Sequence, residues 1–167
     1  MASSPSTRFA TFNMHGFNQG ASYLCDLSLS TDVILTQEHW LPPSGLSILN
    51  NLCDDFVCFS SSAMGNHIDR GTLSGRPFGG VAVFIRSHFA KLCHVICRTD
   101  RFIIISYLDH IFVNVYLPCS SVPHYLGIYC DTLAAILATI NNCSCQSIVF
   151  GGDINFDFDA VVLSMIC

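Results

Sequence analysis

The stretch that decides the fold is Ser147-Ile148-Val149-Phe150-Gly151-Gly152-Asp153-Ile154-Asn155. Its apolar beginning is too short for a helix and rich in β-branched residues, which predicts a buried strand. The two glycines predict a sharp backbone turn at the end of that strand and a close approach to a ligand. Asp153 and Asn155 then lie at the mouth of a sheet, where open α/β sheets bind ligands. The alternative is a strand followed by an ordinary Asx turn.

The composition indicates one domain with a large apolar interior. The chain has 167 residues, of which 51% are hydrophobic and only 11% are charged. Soluble domains typically carry roughly 25% charged residues. The sequence therefore favours an inner part of a larger protein, or a fragment that lacks part of its polar surface.

Several classes of protein are excluded by the sequence. No apolar run reaches the roughly 18 residues of a membrane span, and the polar lead-in at 1–7, expected to be disordered, is not a secretory signal. The ten cysteines lack zinc-ligand spacing, so we expect reduced, mostly buried thiols in an intracellular protein of the nucleus or cytoplasm. The net charge of −5 argues against broad adhesion to nucleic acid, but an acidic, cation-holding nuclease site is compatible with it.

Strand-sized and helix-sized patterns alternate along the chain. The helix pattern is clearest at 122–141, and shorter helices are predicted at 21–29 and 44–51. A long polar loop is predicted at 60–80, and Asp109-His110 is predicted as a tight turn. Besides the stretch from Ser147, strands are predicted at 8–12, 32–37, 56–59, 79–86, 94–98, 102–108 and 111–116. This order predicts a mixed α/β fold, in which two sheets pack face to face and helices lie outside.

Four of the predicted strands end in polar side chains: Asn13 with His15, Glu38, Tyr116, and Asp153 with Asn155. Glu38 is the only glutamate of the chain and follows an apolar run, where an unpaired carboxylate is costly. Oxygen ligands such as Glu38, with Asn13 nearby, suit Mg²⁺. Asp153 could orient or deprotonate a water molecule, and Asn155 could hold that water or a phosphate oxygen.

Five motifs in this order and spacing resemble the endonuclease/exonuclease/phosphatase superfamily. The segment Gly75-Arg76-Pro77-Phe78-Gly79-Gly80 is most similar to the endonuclease domains of LINE-type (non-LTR) retrotransposons. The five motifs are Thr11-Phe12-Asn13-Met14-His15-Gly16, Leu35-Thr36-Gln37-Glu38-His39-Trp40, Gly79-Gly80-Val81-Ala82-Val83-Phe84, Asn114-Val115-Tyr116-Leu117-Pro118 and Gly151-Gly152-Asp153-Ile154-Asn155.

The resemblance implies a four-layer α/β sandwich and metal-dependent cleavage of a phosphodiester, in this case DNA nicking. It implies Glu38 as the Mg²⁺ ligand, with Mn²⁺ as a possible substitute, and Asn13 as support for the metal or the scissile phosphate. It further implies that Tyr116 contacts the phosphate, that Asp153 activates water, and that Asn155 positions the water and the phosphate. No other cofactor and no membrane are implied. A reverse transcriptase fused to the domain would be the partner within the full element.

The sequence also departs from the family pattern. The late Ser-Asp-His segment of the family does not occur, so residues 8–167 are expected to form the N-terminal part of such a domain, with an incomplete second sheet. His15 stands where related nucleases often carry an acidic residue, which favours a loop histidine. Two alternatives to an endonuclease therefore stay open: a non-catalytic remnant, and a phosphatase or lipid phosphodiesterase of the same superfamily.

Two residues beside Glu38 have two interpretations each. Trp40 could pack under Glu38 or stack on a base. His39, like the remaining histidines, is expected to be structural or solvated.

Overall fold

A computed structural model describes residues 7–69, 72–73 and 75–155. Apart from Thr7, the predicted lead-in lies outside these residues, as does the end of the predicted domain at 156–167. In the described part of the chain, no helix is long and apolar enough to cross a membrane. The helices are α1 (Phe17–Ser28), α2 (Ser87–Ala90) and α3 (Tyr125–Asn141), and the strands are β1 (Phe9–Asn13), β2 (Val33–Gln37), β3 (Phe56–Ser61), β4 (Ile68–Asp69), β5 (Thr72–Leu73), β6 (Val81–Arg86), β7 (Cys93–Arg98), β8 (Phe102–Tyr107), β9 (His110–Tyr116) and β10 (Ser147–Asp153).

Two mixed sheets of four strands each form the centre of the fold. The first sheet has the order β1-β2-β6-β3, and the second has the order β10-β9-β8-β7. In each sheet one pair is parallel, β1 with β2 and β9 with β10, and the other pairs are antiparallel. This arrangement confirms the predicted α/β sandwich.

Three apolar clusters hold the layers together. The cluster between the two sheets includes Leu35, Val83, Ile105 and Phe112. A second cluster, around Leu24, joins α1 to the outer face of the first sheet. The third joins the second sheet to α3 and includes Ile104, Val113 and Ile136. Because β2, β8 and β9 are covered on both faces, their sequences are nearly continuous apolar runs rather than alternating ones.

Most predicted elements are present, with different boundaries. Helix α1 begins at Phe17, four residues before the prediction, because Gly16 and Phe17 donate their N–H groups to the carbonyls of Glu38 and His39. Helix α3 begins at Tyr125 rather than at 122, since His124 adopts a left-handed conformation with φ of 58°. The predicted helix at 44–51 is a 3₁₀ helix, Pro43–Asn51.

Two local predictions were wrong, and one short helix was not predicted. The tight turn lies at Leu108 and Asp109, because His110 already pairs with Tyr107. The predicted loop at 60–80 contains a 3₁₀ turn, Gly65–His67, and the small hairpin of β4 and β5. Helix α2 was not predicted, since its four residues are too few for a periodic pattern.

The strand predicted from Ser147 is present, but the prediction that it is buried was wrong. Strand β10 lies at the edge of the second sheet as described, and Ile148 and Phe150 are 47% and 43% exposed. The two glycines do not turn the chain away from the strand, because both pair with β9 as part of β10. A Cβ on Gly151 would lie 2.7 Å from a methyl of Leu35, and a Cβ on Gly152 would lie 2.0 Å from the Val115 carbonyl oxygen. The protein itself occupies the space that the sequence suggested for a ligand.

The cysteines match their prediction in part. All nine cysteines in the described residues are free, as expected for reduced thiols. Of these nine, however, only Cys53 is buried, and Cys130 is exposed.

Candidate active site

The predicted site residues collect at one edge of the sandwich. Asn13 ends β1 and pairs with Gln37, the last residue of β2, while Asp153 ends β10 and pairs with Tyr116, the last residue of β9. Both pairs are parallel, and Asn13 Nδ2 lies 2.8 Å from Asp153 Oδ2, so the carboxyl ends of the two pairs meet at the same edge of the sandwich. The site is therefore shared equally between the first and the second sheet.

Asn13 joins two carboxylates that come from different sheets. Its side-chain nitrogen Nδ2 donates to Glu38 Oε1 at 2.8 Å and to Asp153 Oδ2, also at 2.8 Å. Its Oδ1 accepts a hydrogen bond of 3.0 Å from the backbone N–H of His15. The amide is thus fixed at both ends, and it holds the two acidic groups beside one another.

The second oxygen of each carboxylate also has a donor. Trp40 Nε1 donates to Glu38 Oε2 at 3.1 Å, and the backbone N–H of Asn155 donates to Asp153 Oδ1 at 3.2 Å. A carboxylate oxygen accepts more than one hydrogen bond, so both groups keep free acceptor capacity toward the solvent side. The site presents two oriented anionic groups.

Glu38 and Trp40 both adopt left-handed backbone conformations, with φ of 57° and 55°. Such conformations are costly for residues with a side chain and persist where the surroundings impose them. Here the N–H groups of Glu38 and Trp40 donate to the carbonyls of Gly80 and Gly79, at 2.8 and 3.0 Å. These bonds tie the turn that presents Glu38 to the beginning of β6.

His39 lies inside this turn and is fully buried. Its Nε2 lies 3.0 Å from the Ser61 carbonyl oxygen, and its Nδ1 lies 3.0 Å from the backbone nitrogen of Leu41. These contacts assign the neutral ring with the proton on Nε2, because only an unprotonated Nδ1 can accept from Leu41. Burial lowers the pKa of His39 to about 4. The imidazole is a structural part of the turn, as one of the sequence interpretations held.

Gly80 makes room for that imidazole. A Cβ on Gly80 would lie 2.3 Å from His39 Cε1, and its φ of 89° is unfavourable for other residues. The Gly-Gly pair of the third motif therefore serves the turn that carries Glu38.

Tyr116 lies beside both carboxylates. Burial, together with the negative charges of Glu38 and Asp153, raises the pKa of the Tyr116 phenol above its usual value. The phenol therefore stays protonated at neutral pH and can donate a hydrogen bond to an anion.

Asn155 is the predicted site residue that points away from the others. Its side-chain Nδ2 donates to the Leu117 carbonyl at 2.8 Å, and its φ is 47°. Its backbone, rather than its amide, contacts Asp153. His15 is exposed on the same rim, and its side chain has no assigned role.

Three residues of the site region were missed or left undecided by the sequence. The indole of Trp40 lies against Gly16 and donates to Glu38, which favours the packed interpretation over base stacking. Gln37 and Asn114 form a buried amide pair beneath the site, at 2.7 Å. The available signal was an amide side chain within an otherwise apolar strand, one residue before Glu38 and two residues before Tyr116.

Asp153 borders an open groove of about 510 Å³, which is also lined by Thr11, Phe12, Asn13, His15, Gln37, Gly152 and Ile154. Within the described residues, no group of three or more His, Cys, Asp or Glu side chains could hold a metal ion by itself. A pair of carboxylates does fit Mg²⁺, which is commonly held by one or two carboxylates together with water and substrate phosphate.

The comparisons with known proteins find similarity of fold but not of sequence. No family model matches the chain, and no curated protein matches it by sequence. A humanized TDP2 of D. rerio has a TM-score of 0.58 and 17% identity, over 95% of this chain and 66% of that one. The AP endonuclease LMAP of Leishmania major has a TM-score of 0.63 and 16% identity, over 88% and 54% of the two chains.

A third solved structure is the 3′ phosphatase NExo of Neisseria, bound to a product DNA hairpin, with a TM-score of 0.59 and 15% identity over 90% of this chain. This chain spans 54–66% of the length of these three structures. At such low identity the similarity shows the shared fold.

Proposed function

We propose that this chain carries catalytic residues of a metal-dependent phosphodiesterase that cleaves DNA. The observation that carries the proposal is the single amide nitrogen of Asn13, which donates to Glu38 and to Asp153. Two carboxylates kept this close repel one another and are costly to maintain without a compensating cation. The arrangement therefore suits a site whose working state includes a divalent ion.

The ion we propose is Mg²⁺, which Mn²⁺ could replace. Glu38 would be its principal ligand, because Asn13 and Trp40 each hold one of its oxygens and thereby fix the orientation of the carboxylate. When bound, such an ion supplies positive charge that stabilises the oxygens of the reacting phosphate.

Asp153 is proposed to take a proton from the attacking water. A carboxylate that is fixed through both oxygens is held in one orientation, and a general base needs such placement within hydrogen-bond reach of its proton. Asn13 holds one oxygen and the Asn155 backbone holds the other, so either oxygen can accept the water through its remaining lone pair.

Tyr116 and Asn155 are proposed to contact the phosphate. The protonated phenol of Tyr116 would donate to a non-bridging oxygen, where an oriented donor is effective against developing charge. The amide of Asn155 would have to leave the Leu117 carbonyl before it could reach the same phosphate or the water.

DNA is the proposed substrate on two grounds. The first is that the solved structures of this fold include a 3′ phosphatase bound to a product DNA hairpin, together with an AP endonuclease. The segment from Gly75 to Gly80 resembles LINE-type endonucleases, which would make the chain part of an intracellular element that also encodes a reverse transcriptase.

Nicking of supercoiled plasmid in Mg²⁺ tests the proposal. We expect relaxed circles from the wild-type chain and a loss of at least about 100-fold in rate for Glu38→Gln and for Asp153→Asn. The matched control is Asp131→Asn, which removes one exposed carboxylate from α3 and should leave the rate unchanged. Equal rates for wild type and Asp153→Asn would remove Asp153 from the mechanism.

The indole of Trp40 offers a test of metal binding that needs no turnover. Trp40 is the only tryptophan of the chain, and its N–H is bonded to Glu38. Titration with Mn²⁺ should quench its emission with saturation in the wild type and without saturation in Glu38→Gln. An unchanged titration in Glu38→Gln would place the ion elsewhere.

A further inference from the structure

The groups of the candidate site belong to two separate sheets. Asn13 ends β1 and Glu38 directly follows β2 in the first sheet, while Tyr116 and Asp153 end strands of the second. Any sliding of one sheet over the other would change every distance between these two pairs. Catalytic rates fall steeply with misplacement, by about 100-fold for a shift of about 1 Å.

Most of the contact between the sheets is apolar. The cluster between them consists of aliphatic and aromatic side chains, among them Val33, Leu35, Ile103 and Ile105. Apolar contact is non-directional, so it stabilises the pairing of the sheets more than it fixes their relative register.

A buried pair of amides does cross this interface. Gln37 Nε2 donates to Asn114 Oδ1 at 2.7 Å, and the two residues are 1% and 0% exposed. Gln37 Nε2 also lies within hydrogen-bond distance of Thr11 Oγ1 and the Leu35 carbonyl, at 3.2 and 3.1 Å. The bond between Gln37 and Asn114 is directional, so it forms in only one relative position of β2 and β9.

Asn114 is anchored in the opposite sheet as well. Its Nδ2 donates to the backbone carbonyls of Thr36 and Ala82, each at 2.9 Å. One residue of the second sheet thus bonds to two strands of the first, in addition to Gln37. No buried side-chain nitrogen or oxygen in the described residues lacks a partner, so the network is fully satisfied.

The amide pair lies directly beneath the site. Gln37 precedes Glu38 and is the register partner of Asn13. Asn114 is two residues before Tyr116 and is the register partner of Gly151, two residues before Asp153. The pair therefore lies next to the strand ends that carry Asn13, Glu38, Tyr116 and Asp153.

We propose that Gln37 and Asn114 are positioning residues, whose hydrogen bonds across the interface set the register between the sheets and thereby the distance from Glu38 to Tyr116 and Asp153. The inference rests on the proposed function for its catalytic consequence, but not for its structural one. It assigns to the second and fourth motifs a role beyond carrying Glu38 and Tyr116.

The experiment shortens one amide and, in a separate variant, removes the other. Gln37→Asn retracts the donor by one methylene, and we expect kcat for plasmid nicking to fall about 10–100-fold with KM changed by less than about threefold. Asn114→Ala removes the bonds to Gln37, Thr36 and Ala82 together, and kcat should fall at least as much, with KM again changed by less than about threefold. The control is Ile105→Val, which weakens the same interface without a polar change and should leave kcat within about twofold.

A second readout keeps the inference separate from the proposed activity. In ¹⁵N NMR spectra, the side-chain amide of Asn13 reports the bonds to both carboxylates. Its resonances should shift in Gln37→Asn and in Asn114→Ala, while Ile105→Val should leave them in place. A wild-type chain that never nicks DNA would refute the proposed function alone. Unmoved Asn13 resonances in Gln37→Asn would overturn the positioning role, whatever the activity.

Discussion

Replacement of His39 by glutamine is expected to remove a steep loss of stability in mild acid. The wild-type imidazole is fully buried, and its pKa is lowered from 6.5 to about 4. A second proton would have to sit on Nδ1, which already accepts the N–H of Leu41. Protonation of the folded chain therefore costs both burial of a charge and one hydrogen bond.

The sign and size of the effect follow from the two pKa values. Below pH 6.5 the unfolded chain takes up a proton on His39 and the folded chain does not, so stability falls as the pH falls. The fall continues down to pH of about 4 and then stops, because both states are protonated there. A shift from 6.5 to about 4 corresponds to about 3 kcal/mol of unfolding free energy.

Urea denaturation at a series of pH values between 7 and 4 measures this effect. The free energy of unfolding of the wild type, minus that of His39→Gln, should fall by about 3 kcal/mol across the series, since the carboxylates are common to both chains. The control His94→Gln changes an exposed histidine and should keep the wild-type slope. Parallel profiles for wild type and His39→Gln would show that the ring is not held neutral in the folded chain.

Three further changes test other parts of the structure. Gly80→Ala places a methyl group against the His39 ring at positive φ and should cost about 2–4 kcal/mol by urea denaturation, whereas Gly65→Ala, with open space around it, should cost less than about 1. Tyr116→Phe removes the proposed phosphate donor, and we expect kcat for nicking to fall about 100-fold with little change in unfolding free energy; an unchanged kcat would exclude the phenol. Asp32→Asn removes the charge of a carboxylate that accepts hydrogen bonds from Arg8 and Arg86. It should lower the free energy of unfolding by about 1–3 kcal/mol, and an unchanged melting curve would contradict this expectation.

The recognition of site residues from the sequence rested on local patterns. An apolar run that ends in a carboxylate, an amide or a phenol is visible in the sequence, because the whole pattern lies in consecutive residues. Asn13, Glu38, Tyr116 and Asp153 were found in this way, and the structure brings all four to one edge. Their chemical roles stay predictions until the variants are measured.

The role of the glycines could not be read from the same stretch. In Gly151 and Gly152 the sequence shows only that side chains are absent, which fits a turn, a ligand or a close neighbour equally well. The neighbours are Leu35 in the other sheet and Val115 in the adjacent strand, and both are distant in the sequence. Likewise, the exposure of β10 depends on which strands lie beside it.

The sequence by itself determined the α/β class, through the order of strand and helix patterns. It also determined which residue types stand at the ends of the strands, and with them the acidic character of the candidate site. Only the tertiary structure decided that Asn13 bridges two carboxylates, that Asn155 turns its amide to Leu117, and that Gln37 meets Asn114. The physical reason is that side-chain hydrogen bonds between sheets join residues up to 140 positions apart. Their geometry is fixed by how the sheets pack, and no local pattern records that packing.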